Sequence, residues 1–389
     1  MSLDRASDEE EEGAAARPPP APVGPLLIGH EIFRRSSYGA HHPLRIPRVS
    51  TVMDLARALG WLPAERFRAS PRAKPLALSA WHTPAYLDAL RRAEAEGAVS
   101  RAVRERHGLG TPSNPVFPEV WRRPATAAGG SLLAVELLLG GGVVHNPAGG
   151  THHALPDRAS GFCYLNDAVL AILSMRRQGL SRVAYVDLDA HHPDGVQHAF
   201  ERTPEVLVVS VHEEGRWPRT GALEEAGAGN VFNLPLPRGT DDAGLRAALH
   251  ELIGPRVEAH RPDAVVLQCG ADAVEEDPQS GLACSNRPHR EIALALRSLS
   301  PRLLVLGGGG YNPWTVGRLW TAVWGAVSGQ EAPDRLPPEA EAVLRGLAWN
   351  ARRGRNPPER WFTTLLDPPR EGPLDGEVRA RLRRLAARR

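Results

Sequence analysis

From residue 143 onward the chain repeats one pattern: a short apolar run rich in β-branched residues, then a stretch with helical spacing. The apolar runs fall at 143–145, 183–186, 206–211, 231–234, 264–268 and 303–306, and the helical stretches at 166–178, 196–200, 242–260, 288–299 and 314–328. A strand that is apolar at nearly every position has no face left for water, so both of its faces must be covered. Such strands alternating with helices predict an α/β domain with a mostly parallel central sheet and helices on both faces. Upstream, the pattern predicts a strand at 26–30, a helix at 51–59 stopped by Gly60, and a strand at 76–79. A helix at 84–96 has Pro84 in its first turn and Gly97 just past its end. A Gly- and Pro-rich loop covers 108–117, and an apolar helix at 124–139 closes on Gly140, Gly141 and Gly142. The chain has no internal repeat.

The ends read differently. Residues 1–24 join an acidic run, Asp8–Glu12, to a proline-rich stretch, Pro18–Pro22, with too little apolar surface to offset the entropy of ordering. A disordered tail is expected there, followed by one domain over 25–330. Residues 331–389 form an extension with many prolines, expected to pack on the domain, with helices at 338–351 and 377–389. The last helix places Val378, Leu382 and Leu385 on one face, with six arginines around them.

Composition removes several classes of function. The 47 basic and 45 acidic residues among 389 leave a net charge of +2, which gives no case for nucleic acid or a membrane surface. No run approaches the ~18 apolar residues of a membrane span, and the acidic N-terminus lacks the apolar segment of a secretory signal. Cys163, Cys269 and Cys284 form neither a disulfide framework nor a zinc-knuckle spacing, so a reducing, cytoplasmic setting is expected. Lys74 is the only lysine, and with the abundant Ala, Gly, Pro and Arg this fits a G+C-rich bacterial genome.

Chemistry concentrates in Val183–Gln197, where Asp187, Asp189, His191, His192 and Asp194 follow a buried strand within eight residues. Unpaired charges there would be costly to bury. Asp189 and His191 alternate at the spacing that puts side chains on one face of an extended chain. A carboxylate and an imidazole aimed at one point supply two of the three protein ligands typical of a catalytic metal site. A solvated acidic loop capping the next helix is the alternative. Asp272, following a strand and the small residues Gly270 and Ala271, is the expected third ligand; its alternative is a helix N-cap. Asp, His and Asp fit zinc and tolerate iron. His152 and His153 form a tandem pair suited to proton handling if a carboxylate stands behind each, and Asp187 and Asp194 are the spare carboxylates. The four glycines before Tyr311 either cradle a phosphate or let the backbone pass close to the metal, setting Tyr311 beside it as an oxyanion donor. The run lacks the surrounding pattern of a dinucleotide or P-loop site.

Taken together, HHALPDRASGFCYLND, YVDLDAHHPDGVQ, CGAD with Asp277-Pro278, and GGGGYNPW resemble the histone deacetylase superfamily with its arginase-like fold, over roughly residues 25–328. The Asp-Ala-His-His core motif and GTPSNPVFP look most like the acetoin-utilisation deacetylase branch. The resemblance implies a zinc held by Asp189, His191 and Asp272, with His152, His153, Asp187, Asp194 and Tyr311 as catalytic groups. It implies an acyl-lysine channel walled by Phe162 beside Gly161 and by Trp217 in place of the family's usual Phe. Ser113 and Gln279 would stand at its mouth. It further implies a structural potassium at Asp187, Asp189, His191, Ser210 and Val211, and a second monovalent site at Phe200, Thr203, Val206 and Asn230. Three positions depart from the pattern: Pro193 replaces a Gly, Ser113 an Asp, and Gln279 an apolar residue.

The activity implied is metal-dependent hydrolysis of an N-acetylated lysine of a protein or a small acetylated amine. An acetylpolyamine amidohydrolase is the alternative within the same chemistry. An inactive acyl-lysine binding module would lack a ligand or the tyrosine, and a two-metal ureohydrolase would need further ligands.

Overall fold

The structure is a computed structural model and describes residues 21–388 apart from 36, 37, 40 and 41. The acidic run and most of the proline-rich stretch expected to form a tail lie outside the described residues; Val23 and Gly24 already belong to the first strand.

Eight strands form one sheet: β1 Val23–Gly29, β2 Phe67–Ala69, β3 Gly142–Asn146, β4 Val183–Asp187, β5 Val206–Glu213, β6 Val231–Leu236, β7 Ala264–Gln268 and β8 Arg302–Leu306. Their order is β2-β1-β3-β8-β7-β4-β5-β6, and every pairing is parallel. All residues of β4, β5, β6 and β7 are buried, as continuous apolar runs require. Alternation within strands sorts the side chains into two layers. Ala184 and Val186 of β4 join a cluster with Val52, Leu55, Leu319 and Val323; Val183 and Tyr185 join one with Val135, Leu138, Val169 and Ile172. The helices Val49–Ala58, Arg287–Leu299 and Pro313–Val327 therefore cover one face, and Arg122–Leu138 and Asp167–Arg177 the other.

Several expectations need correction. Residues 76–79 are not a strand: Pro75–Leu78 is one helical turn, with Pro75 supplying the fixed φ of a first helical position. The second strand is instead the three-residue Phe67–Ala69, too short to show a period. Arg101–His107 is a helix capped by Ser100, whose side chain accepts from Val103 N–H. The helix expected at 242–260 contains a π-turn at Leu249–Ile253, and the one expected at 338–351 stops at Arg345.

The extension shares the core of the domain. Trp314 stacks on Trp361 at 5.3 Å, and its indole N–H donates to Leu344 O at 2.9 Å. Arg318, fully buried, pairs with Asp367 at 2.7 Å. Val378, Leu382 and Leu385 are buried together as their spacing predicts. Arg381, one of the arginines expected around that face, is itself buried and donates to Pro235 O at 2.6 Å.

His145 of β3 is fully buried, and among the described residues neither ring nitrogen has a hydrogen-bond partner. Burial alone depresses its pKa to about 3.

Candidate active site

The four central strands each end in one part of the site. Beyond β3 come His152 and His153; beyond β4, Asp189 and His191; beyond β7, Asp272; beyond β8, Tyr311. This is the carboxyl edge of the sheet, where parallel α/β folds place their ligands.

Asp189, His191 and Asp272 each offer a ligand atom, all within 4.8 Å of one another. His191 Nδ1 lies 3.1 Å from Asp189 Oδ1 and 2.9 Å from Asp272 Oδ2. The other oxygen of each carboxylate is fixed by backbone: Gly309 N–H donates to Asp189 Oδ2 at 2.6 Å, and Ala190 N–H to Asp272 Oδ1 at 2.9 Å. Asp189 Oδ1, which also accepts from His191 N–H at 3.0 Å, and Asp272 Oδ2 face the imidazole. Burial opposes charge on His191, but bonds to Asp189 and Asp272 outweigh it and lift its pKa to about 10. Burial also pushes the Asp272 carboxyl up, aided by the charge of Asp189. Asp189 resists the same burial and is held well below the carboxylate range by the charges of His152 and His191. Two buried carboxylates and one imidazole aimed at a single point form a donor set suited to a divalent cation, with zinc and iron both compatible.

The glycine run closes over this triad. A Cβ on Gly309 would lie 2.1 Å from Asp272 Oδ2, and one on Gly270 would lie 2.3 Å from Asp189 Oδ2. Only a bare backbone fits, so of the two readings of the run the structure supports close approach. The amide of Gly309 serves Asp189, and that of Tyr311 donates to Asp277 Oδ2 at 2.6 Å. Asp277 also accepts from Gln279 N–H at 2.8 Å, so one buried carboxylate fixes both the phenol-bearing loop and a residue of the mouth. Burial raises the Tyr311 pKa well above its ordinary value, which keeps the phenol a donor.

The paired histidines find the expected carboxylates. His152 Nδ1 is 2.8 Å from Asp187 Oδ2, and His153 Nδ1 is 2.7 Å from Asp194 Oδ1. Their rings lie 3.9 Å apart yet titrate in opposite directions. Burial lowers His152, but Asp187 and Asp189 more than compensate and raise it to about 9. His153 is lowered to about 4 by burial and by the neighbouring His152 charge, despite Asp194.

Ser113, Gly161, Phe162, Trp217 and Gln279 meet at one mouth cavity with His153, His191 and Tyr311. Phe162 has φ +69°, a strained value for a side chain of this size, and Asn114 Oδ1 holds it by accepting its N–H at 2.9 Å. Gly161 is needed beside it: a Cβ there would lie 2.4 Å from the Trp217 ring. Trp217 stands edge-on to His153 at 4.7 Å and is 45% exposed. Behind the triad an inner cavity is lined in part by Tyr38, Arg48, Arg123, Cys163 and Gly308.

Of the residues expected at the first monovalent site, Ser210 is in register with Asp187 across β4 and β5, and Val211 follows it, buried. At the second, the Asn230 side-chain nitrogen lies 2.8, 3.0 and 2.7 Å from the carbonyl oxygens of Phe200, Thr203 and Val206. Pro193 is accommodated because it precedes the Asp194–Phe200 helix with φ −77°, where its missing N–H is not needed.

Some supporting residues escaped the sequence reading. Tyr185 donates to Asp187 Oδ2 at 2.5 Å, and its hydroxyl oxygen lies 2.9 Å from the Gln268 side chain; a phenol in an apolar strand is the signal, since a buried hydroxyl needs a partner. Asp167 takes the amides of Gly150 and Thr151 and the Ser131 hydroxyl, fixing the loop before the histidine pair. Arg48 donates to Gly308 O at 2.7 Å from 260 residues away, which no local pattern shows.

Residues 42–327 match the histone deacetylase domain family. The chain is 38% identical over 309 residues to "Histone deacetylase 1" of Oryza sativa subsp. japonica, covering 77% of this chain and 59% of that protein. It is 34% identical over 312 residues to "Acetoin utilization protein AcuC" of Bacillus subtilis, covering 77% and 80%. It thus spans about three-fifths of that plant relative, and the similar identities do not single out the acetoin-utilisation branch expected from the core motif. Among solved structures, a histone deacetylase homologue complexed with SAHA superposes with a TM-score of 0.90 at 34% identity, covering 94% of this chain and 100% of that one. A homologue from Aquifex aeolicus gives 0.88 at 34% identity, with the same coverage.

Proposed function

Because the chain belongs to the histone deacetylase family, we propose that it hydrolyses the amide of an N-acetylated lysine, in a protein or a small molecule, to acetate and the free amine. The observation that carries this reading is the convergence of Asp189, His191 and Asp272 on one point beside two carboxylate-backed histidines and a tyrosine. Asp189, His191 and Asp272 would hold a divalent cation, zinc or iron, which would supply Lewis acidity at the acyl carbonyl and lower the pKa of a water molecule.

The chain's own groups do the rest. Asp194 holds His153 through Nδ1, leaving Nε2 to take the proton of the attacking water and later deliver it to the departing amine. A pKa near 4 keeps His153 neutral and ready to accept. Against burial, Asp187 and Asp189 raise the His152 pKa, favouring its charged form beside His153. Tyr311 donates to the developing tetrahedral oxygen, and one such donor is worth about 2.7–4 kcal/mol in the transition state. Phe162 and Trp217 flank the alkyl stem, and Gly161 leaves room between them. The inner cavity, with Arg48 and Arg123 in its wall, suits a small carboxylate product.

By family resemblance, Asp187, Asp189, His191, Ser210 and Val211 would also hold a structural potassium. A cytoplasmic setting accords with three buried, unpaired cysteines. Among the described residues no helix is long and apolar enough to cross a membrane.

The test is acetate release from acetyl-lysine peptides and from acetylated polyamines at equal concentration, with and without a chelator. Metal-dependent turnover of the peptide is the expected result. Turnover of polyamines alone would move the assignment to a polyamine amidohydrolase. Binding without turnover would make the protein an acyl-lysine module, and two metals per chain would favour a ureohydrolase.

A further inference from the structure

Trp217 and Gln279 reach the mouth, a cavity of about 150 Å³, from two separate loops. Among the described residues neither side chain makes a hydrogen bond, and Trp217 is 45% exposed, so its own packing does little to place it. What places both loops is a group behind them. Glu213, the last residue of β5, carries a charge, yet its side chain is only 5% exposed.

Glu213 is gripped from both loops. Arg216, which immediately precedes Trp217, bonds Oε2 through Nε and donates from Nη2 to Oε1 at 2.8 Å. From the other loop, Gly281 N–H donates to Oε2 at 2.7 Å. A Cβ on Gly281 would lie 2.7 Å from Glu213 Oε1, so a side chain there would push the two loops apart. The remaining ends of the loops are anchored elsewhere. Arg381 reaches both oxygens of Glu214 at 2.9 Å, and Thr220 Oγ1 lies 2.8 Å from His192 Nδ1. Asp277 takes the amides of Gln279 and Tyr311. A line of bonds thus runs from the Tyr311 amide through Asp277 and residues 277–281 to Glu213, and on through Arg216 to the residue beside it, Trp217.

We infer that Glu213 is a positioning residue that fixes the loop bearing Trp217 against the loop bearing Gln279, and so sets the entrance through which the alkyl stem of the substrate passes. The inference rests on the deacetylase reading and assigns what holds that site open to the right shape. Glu213 does not itself line the mouth. A carboxylate suits the role because a bidentate bond to a guanidinium fixes angle as well as distance, and one of its oxygens still accepts the Gly281 amide. Buried without those donors the charge would be costly, so the two ties are kept together.

The experiment measures KM, kcat and metal content on the metal-loaded full chain with an acetyl-lysine peptide. Glu213→Ala should raise KM roughly two- to ten-fold, the worth of a displaced aromatic wall, with kcat and metal content held. Glu213→Gln keeps one acceptor and should fall between that variant and wild type. Arg216→Ala frees only the Trp217 loop and should raise KM by less than Glu213→Ala. The deciding measurement is Arg216→Ala in a Trp217→Ala background: with the indole gone the tie has nothing to place, so the two KM effects should be well short of multiplicative. A general loosening of the fold would instead multiply them and lower metal content. An unchanged KM in Glu213→Ala, or the same factor for Arg216→Ala with and without Trp217, would overturn the inference while wild-type turnover upheld the deacetylase reading. Should Glu213→Ala fail to fold, Glu213→Gln and the Arg216→Ala cycle decide by the same criteria. A wild-type chain that turns over no acetylated substrate would overturn that reading, and this inference with it.

Discussion

The floor of the pocket and its rim follow opposite rules. At the floor each carboxylate of the metal triad and its surroundings answers to several donors. Asp187 accepts from His152, Tyr185 and the Asp189 amide, and Asp277 from two backbone amides. Position is over-determined there, because a buried charge without partners is costly. At the rim, Trp217 is 45% exposed, and Ser113 and Gln279 face a water-accessible cleft. Among the described residues few side-chain bonds fix these groups, and a substitution leaves fewer partners stranded. The difference teaches that chemistry and selectivity are stored separately, one in a dense bonded network and the other in a loosely held surface.

The floor should therefore fail completely when one member is removed. Asp272→Ala is expected to abolish metal binding and lower kcat/KM on the order of 10³-fold or more, read by metal content and acetate release. A fully loaded, active variant would break the contrast. Tyr311→Phe keeps the triad and removes one donor, so turnover should fall about 10²–10³-fold with metal content unchanged.

His145 gives an internal measure of burial without partners. Its folded pKa, about 3, lies below the ordinary value of 6.5, so the unfolded chain takes up the proton first. The stability it contributes is present above pH 6.5 and is lost as pH falls towards about 3. At pH 5 the loss from this group is about 2 kcal/mol. Urea unfolding at pH 7.5 and pH 5 should show a smaller acid penalty for His145→Val than for wild type; an identical penalty would show the ring has a partner. At the rim, Trp217→Ala should raise KM only about two- to ten-fold, the worth of one aromatic contact, with kcat nearly constant. A collapse of kcat instead would move Trp217 into the floor.

The same division explains what the sequence made legible. Asp189, His191, His152, His153 and Asp272 follow strands whose apolar runs are plain, and an unusual density of ionisable groups at a strand end marks chemistry. The sheet was equally plain in β4 to β8, because residues buried on both faces leave unbroken apolar runs. Phe67–Ala69 was missed because three residues cannot display a period, and Pro75–Leu78 misread because one helical turn and a short strand share the same apolar length. Asn114, Arg48 and Asp167 act through tertiary bonds to distant backbone, so nothing near them in sequence announces their partners. A cleft beside the mouth was invisible for the same reason: Trp349 and Arg45 both line it although about 300 residues separate them in sequence.

The buried pair between Arg318 and Asp367 carries a consequence for how this chain can be divided. Shortening the protein to the family-matched span, residues 42–327, would strand the Arg318 guanidinium in the Pro313–Val327 helix, with Thr364 O, its other partner, removed as well. Losing one member of such a pair typically destabilises by about 3–5 kcal/mol. The last sixty residues thus behave as an internal counter-ion and a lid on tryptophans, and a trimmed version would have to replace Arg318 with an apolar side chain before it could stand alone.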